Sequence, residues 1–524
     1  MATNLTNKEF PISSRPIVWS IAASDSGGGA GIQADLNTLH SLQCHGCTII
    51  TAITAQNSIS VEKIHPLSAV DLAAQWQALE KDLAPKAIKI GLLPEPSTLR
   101  WLARHLAELR TKQDVFCVWD PVLKASTGAR FLDAFDHGEI DPLLQCIDLI
   151  TPNLNEAELL TKIKIQSFVD IERAAQQLLD RGAKAVLIKG GHSFSEAGQE
   201  NNDKSNDSNH DSTCRDYFSS RKQSFWLSHK RQNQPNNHGT GCTLASAIAS
   251  FSAHNHSLSD SIVLANRFIQ QSLRLALSQG QGAGPVWQAP LENYSNDLAI
   301  LNKSLSDFVD ATDRDKAFPP SDDLGLYAIV DNLDDLQRLI KQGIDTLQWR
   351  DKNKSGNYQT TLLNAIELCK ESNVPLYIND DWQLAREFNA YGIHLGQEDL
   401  ERITQEDLNR LQKHGLRLGI SCHNETELAY AHSLQPSYLA FGPVFSPNSK
   451  IVNHETLGLN KLKLWQARYG ELYPTTCIGG IDLKSLPDVL ATGIQSVAVI
   501  SALSDARHSQ AFINFFHQQS RNNP

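Results

Sequence analysis

Two glycine-rich turns and several charged strand ends hold the residue types in this sequence that could do chemistry. The first turn, SDSGGGAGIQAD from Ser24 to Asp35, follows an apolar run and opens a helical stretch. Its glycines let the backbone approach a ligand closely, and a helix start offers free N–H groups to an anion. A dinucleotide fold also has a Gly-rich first turn, so these glycines alone leave the ligand open. The second turn begins at His238 and places Gly239, Thr240 and Gly241 before an amphipathic helix. Their N–H groups and the helix dipole would form an anion hole facing a phosphoryl group in flight. Cys242 falls at the helix N-terminus, where a thiolate is favoured; a small buried residue at a helix start is the competing explanation. No G-x-x-x-x-G-K-[ST] occurs, which excludes a P-loop kinase.

The charged strand ends lie further along. In Gln348-Trp349-Arg350-Asp351-Lys352 a period of two puts Gln348, Arg350 and Lys352 on one face and Trp349 with Asp351 on the other. Two cations beside an amide at a barrel mouth suggest a pyrophosphate site. Asn379-Asp380-Asp381 and His394 to Asp399 follow neighbouring apolar runs, so their carboxylates could share a Mg2+. The same acids also suit helix N-caps, Asp381 above all. Gly479-Gly480-Ile481 and Ile500-Ser501-Ala502 end the last two runs, where barrels bind phosphate.

The hydrophobic pattern supplies the scaffold. Apolar runs at Ile17 to Ala23, Thr48 to Ile53, Ala87 to Ile90, Val115 to Trp119, Ile147 to Ile150 and Ala185 to Ile188 alternate with helical stretches such as Leu67 to Leu83. That alternation predicts a mostly parallel sheet with helices on both faces. Eight further runs, from Leu326 to Val330 through Ser496 to Ile500, are each followed by a plausible helix, which predicts a compact (β/α)8 barrel. Residues 292–323, with eight acids, three bases and two closing prolines, read as a linker between domains at 1–291 and 324–524. Residues 193–214, with five acids and one base, read as a polar surface insertion.

These two segments contribute −4 and −5 of the net charge of −11. The rest of the chain is close to neutral, so no global field draws it to nucleic acid or anionic lipid. A hydrophobic content of 41% with 20% charged residues excludes a mainly disordered chain. No basic and apolar leader and no stretch of 18 apolar residues occurs, which predicts a soluble, cytoplasmic protein without a membrane partner. Nine scattered cysteines suit a reducing compartment, and the lone pair Cys44 and Cys47 reads as small residues at a strand start.

In order, the motifs SDSGGGAGIQAD, ITAITAQN, KIGLL, DPV, TPNLNEAELL, VLIKGGH and HGTGCT resemble the ribokinase-like superfamily, and within it the hydroxymethylpyrimidine and phosphomethylpyrimidine kinases of thiamine biosynthesis. The resemblance covers Ile17 to about Pro285 and implies an N-terminal ribokinase-like αβα sandwich. It implies that Gln56 and Asp35 hold the aminopyrimidine, and that Asp120, Asn153 and Glu156 order Mg2+ and its waters. It also implies that Lys189 lies against the phosphates of ATP, and that Cys242 stands where most of the superfamily has an aspartate base. Each residue has a plainer reading: Asn153 and Glu156 fit a capping box, Asp120 a turn and Lys189 a solvated strand end.

From Leu326 to about Ser504, QWRDK, INDD, GIHLGQED, GISCH, GPVFSPNSK, IGGI and SVAVISAL resemble thiamine phosphate synthase, a C-terminal TIM barrel. That family joins hydroxymethylpyrimidine diphosphate to thiazole phosphate and releases pyrophosphate, through a methylene cation stabilised by the aminopyrimidine. The resemblance implies that Gln348, Arg350, Lys352, Asn379 and Lys450 hold the diphosphate and that Asp380 and Asp399 bind Mg2+. Ser421 would sit by the pyrimidine, and Ser449, Gly480, Ile500 and Ser501 would receive the thiazole phosphate. One loop departs from the family, which has roughly P-T-x-T-K where this chain has Ser446-Pro447-Asn448-Ser449-Lys450. Ser449 replaces one hydroxyl; Pro447 cannot replace the other.

The two resemblances fit together, since the second product of the kinase is the diphosphate substrate of the barrel. A bifunctional thiamine biosynthesis enzyme is the expectation, with hydroxymethylpyrimidine and its phosphates, ATP, Mg2+ and thiazole phosphate as ligands and a homodimer through the kinase domain. The alternatives are a pyridoxal-type or sugar kinase fused to a thiazole tautomerase, and a non-catalytic vitamin-binding protein. Gln56, Cys242 and the Gln348, Arg350, Lys352 set disfavour the first, and the presence of Lys189, Asp120, Lys352 and Asp399 disfavours the second.

Overall fold

In the computed structural model the described residues are 15–122, 137–190, 213–292, 297–304, 317–354, 356–446 and 455–522. The chain divides into two compact units, Met1–Glu292 and Asn293–Pro524.

In the first unit the aliphatic runs become β1 (Ile17–Asp25), β2 (His45–Gln56), β3 (Val61–Pro66), β4 (Ala87–Ile90), β5 (Phe116–Trp119), β6 (Leu149–Ile150), β7 (Ala185–Ile188), β8 (Thr213–Ser220) and β9 (Ser224–Lys230). They lie side by side as β9-β8-β7-β6-β5-β4-β1-β2-β3. The middle six strands are parallel; β3 on one side and β8 on the other run antiparallel to them, and β9 runs antiparallel to β8. Every residue of β4 and β7 is buried, as a strand covered on both faces requires. The helices are α1 (Gly31–Ser41), α2 (Ala69–Glu80), α3 (Pro96–Lys112), α4 (Asp141–Leu144), α5 (Leu154–Thr161), α6 (Phe168–Asp180), α7 (Thr240–Ala253) and α8 (Leu258–Arg274).

The chain leaves β1 for β2 through α1, then returns past β1 to β4 through α2. Right-handed crossovers therefore put α1 and α2 on opposite faces, and the reversal opens a crevice at the carboxyl ends of β1 and β4. The expected runs at 87–90 and 185–188 are β4 and β7 to the residue. The pattern missed β3 and β9. In β3, no residue is fully buried, so nothing enforced an apolar alternation.

In the second unit β11 (Leu326–Val330), β12 (Thr346–Trp349), β13 (Leu376–Asn379), β14 (Gly392–Leu395), β15 (Arg417–Cys422), β16 (Tyr438–Phe441), β17 (Thr475–Ile478) and β18 (Ser496–Val499) close in sequence order into a parallel barrel, β18 pairing with β11. Around it run α9 (Leu333–Lys341), α10 (Tyr358–Glu371), α11 (Trp382–Glu387), α12 (Gln397–Leu400), α13 (Gln405–Lys413), α14 (Glu425–Ser433), α15 (Gly458–Tyr469), α16 (Leu486–Leu490) and α17 (Ala506–Asn522). An aliphatic layer that includes Trp349 packs beneath the helices, while Tyr327, Tyr377 and Tyr438 form a separate buried cluster.

Part of the expected linker is folded. Residues Ile300–Asn302 form a further short strand, β10, which packs on α14 with Ala299, Ile300 and Leu301 buried. Lys303 Nζ lies 4.1 Å from the centroid of the Tyr430 ring. Most of the polar insertion lies outside the described residues, and Thr213 and Cys214 open β8. All nine cysteines are free, and Cys44 and Cys47 are buried at the start of β2. Among the described residues no helix is long and apolar enough to cross a membrane.

Candidate active sites

In the first unit the carboxyl ends of the parallel strands and the start of α7 enclose a cavity of about 420 Å3. Gln56, Asp120, Asn153, Glu156, Lys189, Gly239, Thr240, Gly241 and Cys242 all line it, so the crevice gathers residues scattered over the sequence. Lys189 Nζ lies 2.7 Å from Asp120 Oδ1, and Thr151 Oγ1 donates to the same oxygen at 3.3 Å. Burial by itself would depress the Lys189 ammonium, but Asp120 and Glu156 hold it above its ordinary value. A Cβ on Gly241 would stand 3.0 Å from Asp120 Oδ2 and 3.1 Å from Lys189 Nζ, so a glycine leaves this pair its room. Gly239 has φ +82°, and a Cβ there would lie 2.0 Å from the Gly29 carbonyl oxygen. The two glycine turns therefore meet backbone to backbone.

Asn153 and Glu156 do form the capping box of α5: the Asn153 N–H donates to Glu156 Oε2 at 2.8 Å and the Glu156 N–H to Asn153 Oδ1 at 2.9 Å. Both still face the cavity. Two expectations need correction. Asp35 does not line the cavity; its side chain is fully buried, bonded to Ser20, Lys89 and Ser246. A carboxylate so enclosed has no surface left for a pyrimidine. Cys242 is not primed as a thiolate either. Burial pushes its thiol up to about 11; Lys89 opposes the rise, whereas Asp35 and Asp120 add to it. Desolvation outweighs the favourable end of the helix.

A further carboxylate lining the cavity is Asp25, whose role the sequence did not suggest. It accepts the N–H groups of Gly27, Gly29 and Ala30 at 2.8, 3.1 and 2.8 Å. Burial raises it, but the bond from His238 and those backbone donors prevail and hold it below the usual range. His238 Nε2 lies 3.4 Å from both Asp25 Oδ2 and Gln56 Nε2. An aspartate before a glycine turn commonly closes on its own backbone, and that signal was available.

In the barrel the candidates again sit at carboxyl strand ends. Arg350 and Lys352, after β12, line a cavity of about 350 Å3 together with Asp331, Arg338 and Ile500. Gln348 is buried and donates to the Tyr327 hydroxyl at 3.1 Å. From there a chain of contacts runs through residues not foreseen as functional. Tyr327 Oη is 2.8 Å from Tyr438 Oη, which is 2.7 Å from His394 Nδ1, and His394 Nε2 is 2.8 Å from Ser421 Oγ. Burial, aided by Arg350, pushes His394 down to about 3, so the ring is neutral and donates from one nitrogen only. Gln348 and Ser421, two proposed ligands of one substrate, are thus joined through the barrel interior.

Asp380, at φ +66°, faces Asp399. Burial and then the Asp399 charge push the Asp380 carboxyl up to about 6. Asp381 holds the N-cap position of α11 but makes no capping bond, because Lys354 Nζ at 2.6 Å and the Tyr358 hydroxyl occupy its carboxylate. Asn379 ends β13, and Gly480 (φ +64°) follows β17 with its Cβ position 2.9 Å from the Phe445 Cβ. Ile500 and Ser501 follow β18 and are exposed. Ser449 and Lys450 lie outside the described residues.

Both sites suit Mg2+ in different ways. In the barrel two carboxylates face each other, with the Asp380 carboxyl pushed up by burial and then by the Asp399 charge, and such a pair suits Mg2+, which takes a few oxygens plus phosphate and water. In the first unit Asp120 and Glu156 are already engaged. Among the described residues no group of three or more His, Cys, Asp or Glu is arranged to hold a metal, so a cation there must lean on nucleotide oxygens and water.

Comparison with known proteins finds a different family in each unit. The model of the phosphomethylpyrimidine kinase family matches residues 25–287, and that of the thiamine monophosphate synthase family matches residues 326–503. A probable thiamine biosynthetic bifunctional enzyme of Oryza sativa subsp. japonica, chloroplastic, is 30% identical over 94% of this chain and 86% of its own length. The thiamine biosynthetic bifunctional enzyme of Arabidopsis thaliana is also 30% identical, over 94% and 90%. A thiamine-phosphate synthase of Yersinia pestis is 47% identical over 36% of this chain and 86% of its own. Among solved structures, a phosphomethylpyrimidine kinase from Clostridium difficile is 31% identical with a TM-score of 0.40, over 49% of this chain and 98% of that one.

Proposed function

Because the chain belongs to the bifunctional thiamine biosynthetic enzymes, with a phosphomethylpyrimidine kinase unit ahead of a thiamine monophosphate synthase unit, we propose a division of roles among its residues. The first unit phosphorylates hydroxymethylpyrimidine twice with ATP. The second joins the diphosphate to thiazole phosphate and releases pyrophosphate.

The observation that carries the first half is the Lys189–Asp120 pair beside the Gly239–Gly241 turn, at one end of a cavity that also holds Gln56 and Asp25. Gln56 and Asp25 grip the aminopyrimidine by its amine and ring nitrogens. Its hydroxymethyl oxygen faces Cys242 and attacks the γ-phosphorus of ATP as the bond to the ADP oxygen breaks. Cys242, in the small fraction of chains that carry it ionised, takes the hydroxyl proton, and the amides of Gly239, Thr240 and Gly241 stabilise the phosphoryl charge. Lys189 moves from Asp120 to the nucleotide phosphates, and Asn153 and Glu156 border that nucleotide. In the second turnover a phosphate oxygen replaces the hydroxyl.

In the barrel Gln348, Arg350, Lys352, Asn379 and Lys450 hold the diphosphate, and the cations receive the charge that departs with pyrophosphate. Ser421, oriented by His394, contacts the pyrimidine. Ser449, Gly480, Ile500 and Ser501 seat the thiazole phosphate, whose ring nitrogen then bonds to the pyrimidine methylene carbon. Mg2+ would neutralise phosphate charge at Asp380 and Asp399 in this site, and at Asp120 and, through water, Glu156 in the first.

The test incubates the pure full-length chain with hydroxymethylpyrimidine, ATP, Mg2+ and thiazole phosphate. Thiamine phosphate and pyrophosphate are the expected products. Failure to form them even when the diphosphate is supplied would remove the barrel's role, and failure to consume hydroxymethylpyrimidine would remove the kinase's.

A further inference from the structure

The carboxylate of Asp35 is the hub of a closed polar cluster in the first unit. It accepts from Ser20 Oγ on β1 at 2.5 Å, from Lys89 Nζ on β4 at 2.7 and 2.8 Å, and from Ser246 Oγ on α7 at 2.8 Å. All four side chains are fully buried. An ion pair in that setting is costly to desolvate, and its attraction compensates only with further hydrogen bonds, which the two serines supply. Such a cluster fixes one geometry, since any sliding of the elements leaves a buried charge unsatisfied.

What it fixes is the pair of helices that begin at the two glycine turns. Asp35 is one turn beyond Gly31, where α1 starts, and Ser246 is one turn beyond Cys242, near the start of α7. At the outer rung Gly31 and Cys242 border the same cavity. At the inner rung Ser246 donates to Asp35. The helices are therefore joined by a buried hydrogen bond one turn behind the cavity lining. Ser246 does not line that cavity and belongs to none of the motifs that suggest chemistry.

We infer that Asp35 and Ser246 are positioning residues for phosphoryl transfer: their bond sets the register of α7 against α1, and so the distance between the anion hole and the pyrimidine turn. This rests on the kinase reading given above. Lys89 serves the same end by donating to both Asp35 oxygens from β4.

The experiment measures both phosphorylations in the full chain with Ser246→Ala, Ser246→Cys and Ser246→Thr, alongside wild type and Cys242→Ala. Lost alignment with intact ligand groups lowers kcat and leaves KM nearly alone, so Ser246→Ala should show kcat about tenfold lower with KM for pyrimidine and ATP within about twofold. Ser246→Thr, which keeps the hydroxyl, should restore most of kcat, and Ser246→Cys, a weak donor, should fall between. Thermal unfolding of each variant separates this from loss of folded protein, and coupling of supplied diphosphate should be unchanged in all. Unchanged kcat in Ser246→Ala, a raised KM at constant kcat, or no recovery with threonine overturns the inference. If the alanine variant does not fold, a cysteine variant as active as wild type overturns it. Wild type without kinase activity, or Cys242→Ala with full activity, would instead strike the kinase reading.

Discussion

Lys189 Nζ rests 2.7 Å from Asp120 Oδ1 because position 241, opposite them, has no side chain. The cation proposed for the nucleotide phosphates thus waits on an acid of the same cavity, and a glycine of the anion hole leaves the space for both.

Gly241→Ala should therefore injure the kinase selectively. The new methyl would meet Asp120 Oδ2 at 3.0 Å and Lys189 Nζ at 3.1 Å, so the pair or the start of α7 has to shift by a few tenths of an ångström. A misplacement of that order at a transfer site lowers kcat by roughly 10- to 100-fold. Coupling of supplied diphosphate in the same preparation should be unchanged, and a kinase rate within twofold of wild type would refute the geometry.

Cys242 makes a pH prediction. With the thiol at about 11 in the free site, about one chain in 10⁴ carries the thiolate at pH 7. If the thiolate accepts the hydroxyl proton, phosphorylation should rise roughly tenfold per pH unit between 7 and 9. Alkylation of Cys242 by iodoacetamide, read against Cys242→Ala, should climb in parallel. The sign for stability is opposite. A thiol raised by folding stabilises the fold below its ordinary value near 9, and that contribution is lost as pH rises through 11. An alkylation plateau below pH 8 would contradict this.

Much of the architecture was legible because the barrel strands and β4 and β7 are short apolar runs between polar turns, and such runs have few alternatives once they repeat. The side chains that meet across the fold were less legible. Asp35 and Asp25 flank the same glycine turn as acids of equal prominence in the sequence. Only the direction of α1 decides that Asp35 enters the core while Asp25 closes on the turn itself. Tyr327 and Tyr438 sit in strands that read as plain hydrophobic runs, and pairing between distant strands is what makes them hydrogen-bond partners. The stretch around Ile300 read as linker because its neighbours are acidic, and three buried apolar residues are too few to show a period.

Tyr438→Phe should test the chain that joins Gln348 to Ser421. It removes the oxygen that touches both Tyr327 and His394, leaving two buried polar groups short of a partner at a cost of about 1–3 kcal/mol. Coupling should fall about tenfold in kcat/KM for the diphosphate, with both phosphorylations intact. Because His394 is held down to about 3, coupling should show no inflection from it near pH 6.5. Its neutral form adds stability above 6.5, and that is lost as pH falls toward 3, so barrel unfolding temperatures should drop across that window. Wild-type coupling by Tyr438→Phe would leave the chain a packing feature.

Asp399→Asn addresses the barrel's metal. Two carboxylates facing each other after neighbouring strands repel, and the Asp380 carboxyl, at about 6, records burial and the charge of Asp399 together. A divalent cation relieves that repulsion, so adding Mg2+ at pH 7 should raise the unfolding temperature of the barrel, and chelation should reverse the gain. Asparagine keeps the shape and one oxygen but removes the charge. The variant should then be at least as stable as wild type without metal and should lose the rise on adding Mg2+. Coupling should fall by roughly 100-fold or more, since the departing pyrophosphate loses its counter-charge. Phosphorylation, which relies on Asp120 and Glu156 in the other unit, should proceed at the wild-type rate. If Asp399→Asn couples normally, or gains as much stability from Mg2+ as wild type, the two acids serve the fold rather than the metal.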